Sequence, residues 1–255
     1  MAERNPIVAG ILRHGDALAA SNRSGVNGVL SADADANRLL VEDPFAFLVG
    51  VIVDYQMPAE RAWSLPYRLK GRLGGWGAEY VAGNPNEVHA AFMQSPKLHR
   101  FPTQTPRFVV AGAQMVLDDY GGDASSIWSD QPTAALLQER LRQFAGISQK
   151  KAAMAVELLE RDLGVDVRDL SGSDIAYDVH LRRVMLRTGL AHTDSVTHMV
   201  EVARLLHPTR PGELDFPLWD IGRRWCHKRN PECSACALES ACPQDITAAN
   251  GVRGA

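Results

Sequence analysis

All four cysteines of this 255-residue chain lie in one short segment, WCHKRNPECSACALESACP (residues 225–243). Six, two and five residues separate the successive cysteines, which are Cys226, Cys233, Cys236 and Cys242. Thiolates are strong ligands for zinc and for iron–sulfur clusters, and clustered cysteines in a reducing cytosol are more often metal ligands than disulfide partners. The segment therefore predicts a metal site held by a single loop.

The spacing distinguishes between two kinds of metal site. Structural zinc sites usually combine two short Cys-x-x-Cys pairs across a longer gap, whereas this segment has one short pair, Cys233 and Cys236. A cluster of iron and sulfide is bulky, so that one loop can wrap it and present a thiolate to each iron. The spacing therefore favours a 4Fe–4S cluster, with zinc as the alternative.

Composition is that of an ordinary globular protein. Hydrophobic residues make up 45% and charged residues 22% of the chain, which is typical of a soluble domain with a substantial core. The first residues lack the pattern of a signal peptide, and no apolar run reaches the roughly 18 residues that a membrane span needs. A cytoplasmic protein without a membrane partner is therefore expected.

Basic residues are concentrated beside the first cysteine, although the net charge of −3 gives no overall sign of nucleic-acid binding. A basic stripe on an acidic protein can contact DNA phosphates, and it can equally be a solvated surface. Charge alone does not decide between these interpretations. The stripe consists of Arg223, Arg224, His227, Lys228 and Arg229.

Apolar periodicity predicts an all-α fold. The apolar run PFAFLVGVIV (residues 44–53) fits a buried helix, because Asp43 suits an N-cap and proline suits the first helical position, although its β-branched residues also allow a strand. Residues 71–86 are expected to form a loop or a broken helix, and residues 1–38 show no clear pattern. Further helices are predicted at residues 60–69, 87–94, 108–120, 133–144, 149–163, 179–188, 194–206 and 215–224.

The cysteine segment resembles the iron–sulfur loop of the endonuclease III family of DNA glycosylases. The cysteine spacing agrees, as do Gly222 and Arg223 upstream and Pro231 two residues before the second cysteine. The resemblance implies an all-α fold of two lobes with DNA bound between them. One lobe would be a helical barrel of residues 43–165, and the other a cluster lobe of residues 1–42 plus 166–255, whose loop presents Lys228 and Arg229 to DNA phosphates.

A second resemblance concerns LRQFAGISQKKAAMAVELL, residues 141–159. It is similar to the family's helix–hairpin–helix, whose usual form is Leu-Pro-Gly-x-Gly-x-Lys-Thr-Ala, and it implies that residues of about 134–163 form this element. Gly146 would let backbone N–H groups approach a phosphate. Ala145 replaces the proline and Ser148 the second glycine. Ser148 would cost about 1 kcal/mol if the turn is left-handed there, or its hydroxyl would cap the next helix.

The same resemblance places Lys150 where bifunctional members carry a nucleophilic lysine. The chemistry needs a neutral amine, and both the helix N-terminus and the adjacent Lys151 disfavour the ammonium form. Lys151 occupies the family's threonine position and remains a competing candidate for the nucleophile. Both lysines are also expected to contact DNA.

The segment IAYDVHLRRV (residues 175–184) resembles the family's Val-Asp-x-His sequence and supplies Asp178 and His180. A carboxylate at this place can stabilise positive charge on the deoxyribose as the base departs, or assist proton transfer. Asp178 also suits the N-cap of the following helix, and the two roles are compatible. The chain between Lys150 and Asp178 is longer than in the family, which predicts an inserted loop.

The segment VIVDYQMP (residues 51–58) resembles a family segment in which a glutamine fills the space left by the extruded nucleotide. It indicates Gln56, with Tyr55 as a second candidate; an ordinary glutamine at a helix end is the alternative.

Together the resemblances imply a monomeric base-excision glycosylase with AP-lyase activity, acting on damaged bases or abasic sites in duplex DNA. A cytoplasmic, nucleoid-associated location follows from the DNA partner. Three alternatives remain. The first is a monofunctional uracil or thymine mismatch glycosylase, and the second is a non-catalytic lesion-binding protein. The third, the adenine-excising branch, is disfavoured because that branch lacks the lysine and carries a further C-terminal domain.

Overall fold

The computed structural model describes residues 5–23 and 30–249; residues 1–4, 24–29 and 250–255 of the predicted cluster lobe lie outside the described residues. Throughout the described ranges, all regular structure is helical, which confirms the predicted all-α class. No helix in them is both long enough and apolar enough to cross a bilayer. The helices are α1 (Pro6–Arg23), α2 (Ala34–Glu42), α3 (Pro44–Val53), α4 (Ala59–Trp63), α5 (Leu65–Lys70), α6 (Ala78–Gly83), α7 (Pro85–Met93), α8 (Thr105–Tyr120), α9 (Ala134–Gln143), α10 (Gln149–Arg161), α11 (Val179–Arg187), α12 (Val196–Leu206) and α13 (Asp215–Arg224).

The described chain forms two compact units. We call residues 30–132 and 136–167 the hairpin unit, and residues 5–23, 133–135 and 168–249 the cysteine unit. The predicted lobes placed residues 1–42 with the cysteines, whereas α2 lies in the hairpin unit. The reason is packing: Leu40 of α2 lies against Gly50 of α3, where a Cβ atom would be 3.4 Å from its Cδ2 atom.

Helix α3 is the central element of the hairpin unit. Nine of its ten residues, Phe45–Val53, are buried, and burying a large apolar side chain contributes about 1.5–3 kcal/mol. Asp43 caps the helix, because its Oδ1 atom accepts from the backbone N–H groups of Phe45 and Ala46 at 2.9 and 3.1 Å. The predicted buried helix is thus confirmed, and the strand alternative is wrong.

Several helices differ from the sequence prediction. The helix expected at residues 60–69 is divided into α4 and α5, with Pro66 in the first turn of α5. The segment 71–86 contains the short helix α6. Helix α1 was not predicted, although Asn5 and Pro6 provide the same start signal as Asp43 and Pro44: the Asn5 Oδ1 atom accepts from Ile7 N at 3.0 Å.

In the cysteine unit, α1, α11, α12 and α13 surround an apolar core that includes the cysteine loop. Leu238, between two of the cysteines, is 2% exposed. It lies against Gly10 of α1, where a Cβ atom would come within 2.8 Å of its Cδ2 atom. At Gly222 of α13, a Cβ atom would approach the carbonyl oxygen of His180 to 2.7 Å. Both glycines therefore allow close approach, and the loop is anchored on α1.

Candidate functional site

The turn between α9 and α10 requires glycine at position 146. Gly146 has φ of 86°, in the left-handed region, and a Cβ atom there would lie 2.9 Å from the Phe108 ring. Phe144, at the start of the turn, is buried and anchors it. The exposed backbone of Gly146 and the N-terminus of α10 thus lie side by side at the surface of the unit.

Ser148 shows neither the strained left-handed conformation nor the side-chain cap that the sequence predicted as alternatives. Its φ of −87° and ψ of 175° are extended, so the residue carries no left-handed strain. It occupies the N-cap position of α10, but its side chain makes no capping hydrogen bond. Serine is accommodated because the family's second glycine is not needed for this backbone conformation.

The two adjacent lysines of α10 have opposite surroundings. Lys150 is exposed in the first turn of the helix, whereas Lys151 is only 5% exposed. The Lys151 Nζ atom donates to the carbonyl oxygens of Ile52 at 2.7 Å and Gly146 at 2.8 Å. It also lies 4.6 Å from the centre of the Tyr55 ring. This enclosure favours Lys150 over Lys151 as the amine that can meet a sugar.

Lys151 interacts electrostatically with Asp54, the residue that follows α3. Burial lowers the pKa of Lys151 to about 8; Asp54 opposes this shift and Lys150 adds to it. Burial raises the pKa of the Asp54 carboxyl, while Lys150 and Lys151 lower it. Sequence reasoning missed Asp54, since an aspartate after a helix carries no signal of its own.

Tyr55 and Gln56, the two candidates for filling the space of an extruded nucleotide, differ in exposure and in their contacts. Tyr55 is held in place: its hydroxyl lies 2.6 Å from Thr105 Oγ1, and its ring stacks on Phe101 at 5.7 Å with an interplanar angle of 3°. Gln56 is exposed and has φ of 49°. This left-handed conformation is uncommon for a residue other than glycine. The geometry therefore favours Gln56 as the side chain that projects from the unit.

Asp178 is the N-cap of α11. Its Oδ1 atom accepts from the backbone N–H groups of His180 and Leu181 at 2.8 and 2.9 Å. Capping fixes the direction of the carboxylate, and its catalytic role stays a prediction. The His180 ring packs within the unit, with Nδ1 3.1 Å from Arg183 Nη2 and its ring edge-on to Trp219.

The four cysteines line one concavity. Backbone N–H groups point at two of the sulfurs, from Leu238 to Cys236 Sγ at 3.5 Å and from Gln244 to Cys242 Sγ at 3.4 Å. Burial raises the pKa of both thiols, and the other cysteines raise it further. Convergent sulfurs with N–H donors fit an iron–sulfur cluster, in which such donors stabilise thiolate ligands. Cys226 and Cys233 complete the wall, with Trp225, Glu239 and Gln244.

The geometry does not by itself define a mononuclear metal site. Among residues 5–23 and 30–249, no three His, Cys, Asp or Glu side chains are placed to hold one metal ion.

The comparisons with known proteins identify the fold. No protein-family model and no curated protein matches the sequence. A thermostable thymine-DNA glycosylase, 16% identical, superposes with a TM-score of 0.62 over 92% of this chain and 93% of that one. A trapped endonuclease III–DNA covalent intermediate, 17% identical, gives 0.57 over 82% and 92%. The chain has the fold of the helix–hairpin–helix DNA glycosylases.

A third structure with this glycosylase fold is the 8-oxoguanine glycosylase/lyase of Clostridium acetobutylicum in complex with double-stranded DNA. It is 11% identical and has a TM-score of 0.52, covering 71% of this chain and 60% of that one. At these identities the likeness establishes the fold, and the predicted helix–hairpin–helix architecture is confirmed.

Within the glycosylase fold, two arginines of α11 that sequence reasoning did not connect with the metal site hold the cysteine loop. Arg187 is 2% exposed, and donates to the carbonyl oxygens of His227 and Lys228 at 2.7 and 3.1 Å and to Cys226 Sγ at 3.5 Å. One turn earlier, Arg183 donates to the carbonyl oxygens of Cys226 and of Gly222. Their spacing of four residues, which places both on one helix face, was the available signal.

The basic residues of the loop lie at the surface. Lys228 and Arg229 are exposed, and the backbone of Lys228 is fixed by Arg187. The loop therefore presents two cations from a backbone that is held on its inner side.

Proposed function

We propose that this protein is a base-excision DNA glycosylase with AP-lyase activity that acts on damaged bases in duplex DNA. The observation that carries the proposal is the exposed Lys150, in the first turn after the Gly146 hairpin of a DNA glycosylase fold. The burial of its neighbour Lys151, whose amine donates to two backbone carbonyl groups, supports Lys150 over Lys151 for this role. A solved neighbour of this fold is a trapped covalent intermediate with DNA, which supports a reaction that passes through a covalent adduct.

Binding would use groups that recognise the DNA backbone. The exposed backbone at Gly146 and the positive end of α10 suit a phosphate, and Lys228 and Arg229 suit a second phosphate contact. Such contacts fix register without reading sequence. Gln56 would fill the space that the extruded nucleotide leaves in the stack. Ser148, exposed in the hairpin, and His180, in the first turn of α11, are further candidates for contacts with DNA.

In the proposed reaction, the Lys150 amine attacks C1′ of the damaged nucleotide. The C1′–N bond breaks, and its electron pair leaves with the base, which takes up a proton. Asp178 stabilises the positive charge that develops on the sugar. The lone pair of the Lys150 nitrogen then forms a C1′=N bond as the C1′–O4′ bond breaks, so that the sugar ring opens, O4′ takes up a proton from solvent, and a protonated Schiff base remains. The Schiff base acidifies the C2′ hydrogen, and loss of this proton breaks the C3′–O bond, so that the 3′ phosphate leaves.

We further propose that Cys226, Cys233, Cys236 and Cys242 hold a 4Fe–4S cluster. When bound, the cluster would act as a structural cross-link of the loop. The N–H donors to the sulfurs support this proposal, as does the position of Arg187 beside Cys226.

Borohydride trapping on a duplex with an abasic site tests the catalytic proposal. We expect the wild-type protein to form a covalent adduct that Lys150→Ala abolishes. Lys97→Ala, an exposed lysine of the same unit, should trap normally and controls for general loss of positive charge.

Different outcomes separate the alternatives. Release of a damaged base without an adduct would favour a monofunctional glycosylase. Tight, salt-dependent binding of lesion duplexes without base release would favour the lesion-binding protein.

A further inference from the structure

The C-terminal end of α3 is held by side chains from two other segments. The last carbonyl groups of a helix lack partners within it; here Lys151 donates to the carbonyl oxygen of Ile52 at 2.7 Å. His99 Nε2 lies 3.2 Å from the carbonyl oxygen of Val53. Because His99 Nδ1 accepts from the N–H of Phe101 at 3.0 Å, Nε2 carries the proton. Two donors thus cap consecutive carbonyl groups.

Lys151 joins this helix end to the hairpin. The same Nζ atom donates to the carbonyl oxygen of Gly146 at 2.8 Å, and its side chain is 5% exposed. Gly146 is the residue at which the turn is left-handed. One amine therefore ties the hairpin and the end of α3 together, beneath the Tyr55 ring.

The turn that follows α3 needs such support. Gln56 has φ of 49°, and a residue other than glycine in this sparsely populated region is strained and persists only where its surroundings impose the conformation. Tyr55, directly before it, donates its N–H to Val53 at 2.9 Å and is fixed through Thr105. These contacts hold the backbone from which Gln56 projects.

We propose that Lys151 is a positioning residue that couples the hairpin to the Gln56 turn, so that phosphate docking at Gly146 and insertion of Gln56 into the base stack occur in one register. The DNA part of this inference rests on the proposed function. The coupling between the two turns is a property of the protein alone and is testable without DNA.

The charge of Lys151 gives the coupling a pH signature. The charged groups that act on its amine are Asp54, which raises the pKa of Lys151, and Lys150, which lowers it; the amine also lies over the Tyr55 ring. Burial and, to a smaller extent, Lys151 lower the pKa of His99, which keeps its ring neutral. The pKa of Lys151 is about 8, below its ordinary 10.5. When the turn opens and exposes Lys151, its pKa returns towards 10.5, so that between about pH 8 and 10.5 opening is accompanied by protonation of the amine. Because protons become scarcer as the pH rises, opening becomes rarer.

Hydrogen exchange of the DNA-free protein tests the coupling. The reporters are the N–H groups of Tyr55, bonded to Val53, and of Ile147, bonded to Phe144. In Lys151→Met we expect both to exchange faster by about tenfold or more, because two bonds from one buried donor are lost. Lys97→Met, at an exposed lysine of the same unit, should leave both unchanged. Faster exchange at only one turn, or at neither, would overturn the coupling.

The wild-type protein provides a second arm if Lys151→Met does not fold. After correction for intrinsic exchange, protection of both reporters should rise in parallel above pH 8, by up to about tenfold per pH unit. Protection that rises at one reporter alone, or stays constant, would overturn the inference.

Binding to a duplex with a tetrahydrofuran abasic analogue, next to 2-aminopurine, tests the DNA part. We expect Lys151→Met to weaken binding about tenfold and to lower the 2-aminopurine signal, while Lys97→Met changes neither. Wild-type binding that Lys151→Met leaves intact would overturn the DNA part. If the wild-type protein binds no duplex, the proposed function fails, and exchange alone decides the coupling.

Discussion

Lys150 and Lys151 are neighbours in the chain, yet α10 directs one to solvent and the other to the interior. Successive helical residues are separated by about 100°, so that adjacent identical side chains take different environments. The buried amine serves the backbone of Ile52 and Gly146. The exposed amine of Lys150, the proposed nucleophile, stands at the positive end of the helix.

Gly146 provides a prediction at the residue scale. Gly146→Ala should lower the free energy of unfolding by about 1–3 kcal/mol, because alanine is strained in a left-handed turn and its Cβ atom would displace Phe108. Urea unfolding measures this change, and DNA binding should weaken with it. Gly83→Ala is the control, since a Cβ atom there meets nothing within 4 Å. Equal stability of the two variants would contradict the prediction.

Helix α11 organises the cysteine unit. Its N-cap, Asp178, is the proposed catalytic carboxylate, and the helix carries Arg183 and Arg187, which hold the backbone of the cysteine loop. A single rigid element thus positions the carboxylate and the loop cations. This arrangement suits a site in which sugar chemistry and phosphate contacts must keep a fixed geometry.

Substitutions at Asp178 separate its two roles. Asp178→Asn should keep the cap, since asparagine caps as well as aspartate, but lower base release about a hundredfold because the charge is lost. Asp178→Ala should also lower the free energy of unfolding by about 1 kcal/mol. Asp33→Ala removes the cap of α2, and should lower stability similarly without affecting base release. Full activity of Asp178→Asn would show that Asp178 acts only as a helix cap and not in catalysis.

At the scale of the whole molecule, segments distant in sequence form each unit. The cysteine loop is anchored on α1 by Leu238, and α12 and α13 complete the same core. The hairpin unit is formed around α3, with α8 and α10 against it. A change in the cysteine loop should therefore alter the stability of α1, the N-terminal helix of the same unit.

Removal of one cysteine tests the cluster at this scale. We expect the wild-type protein to be brown, with broad absorption at about 400 nm that Cys236→Ser abolishes, as for an iron–sulfur protein. Hydrogen exchange should then become faster in α1 and α13, while α3 keeps its protection. Ser240→Ala, in the same segment, should change neither property. A colourless, iron-free wild-type protein with unchanged protection would refute the cluster.

Local patterns predicted much of this protein. The start of α3 followed from Asp43 and Pro44, and the all-α class followed from apolar periodicity, because caps and helical faces depend on residues a few positions apart. The cysteine spacing and the hairpin around Gly146 indicated the fold that the solved structures confirm. The roles of Lys150 and Asp178 remain predictions.

The tertiary structure decided what depends on distant partners. The buried amine of Lys151 donates to the carbonyl oxygen of Ile52, which lies 99 residues earlier in the chain. Arg187 holds a loop 40 residues later, and α2 joins the hairpin unit through its packing on α3. A local pattern places Arg183 and Arg187 on one helix face, but it does not encode the partners of these residues, because the burial of a side chain depends on elements that only the folded chain brings together.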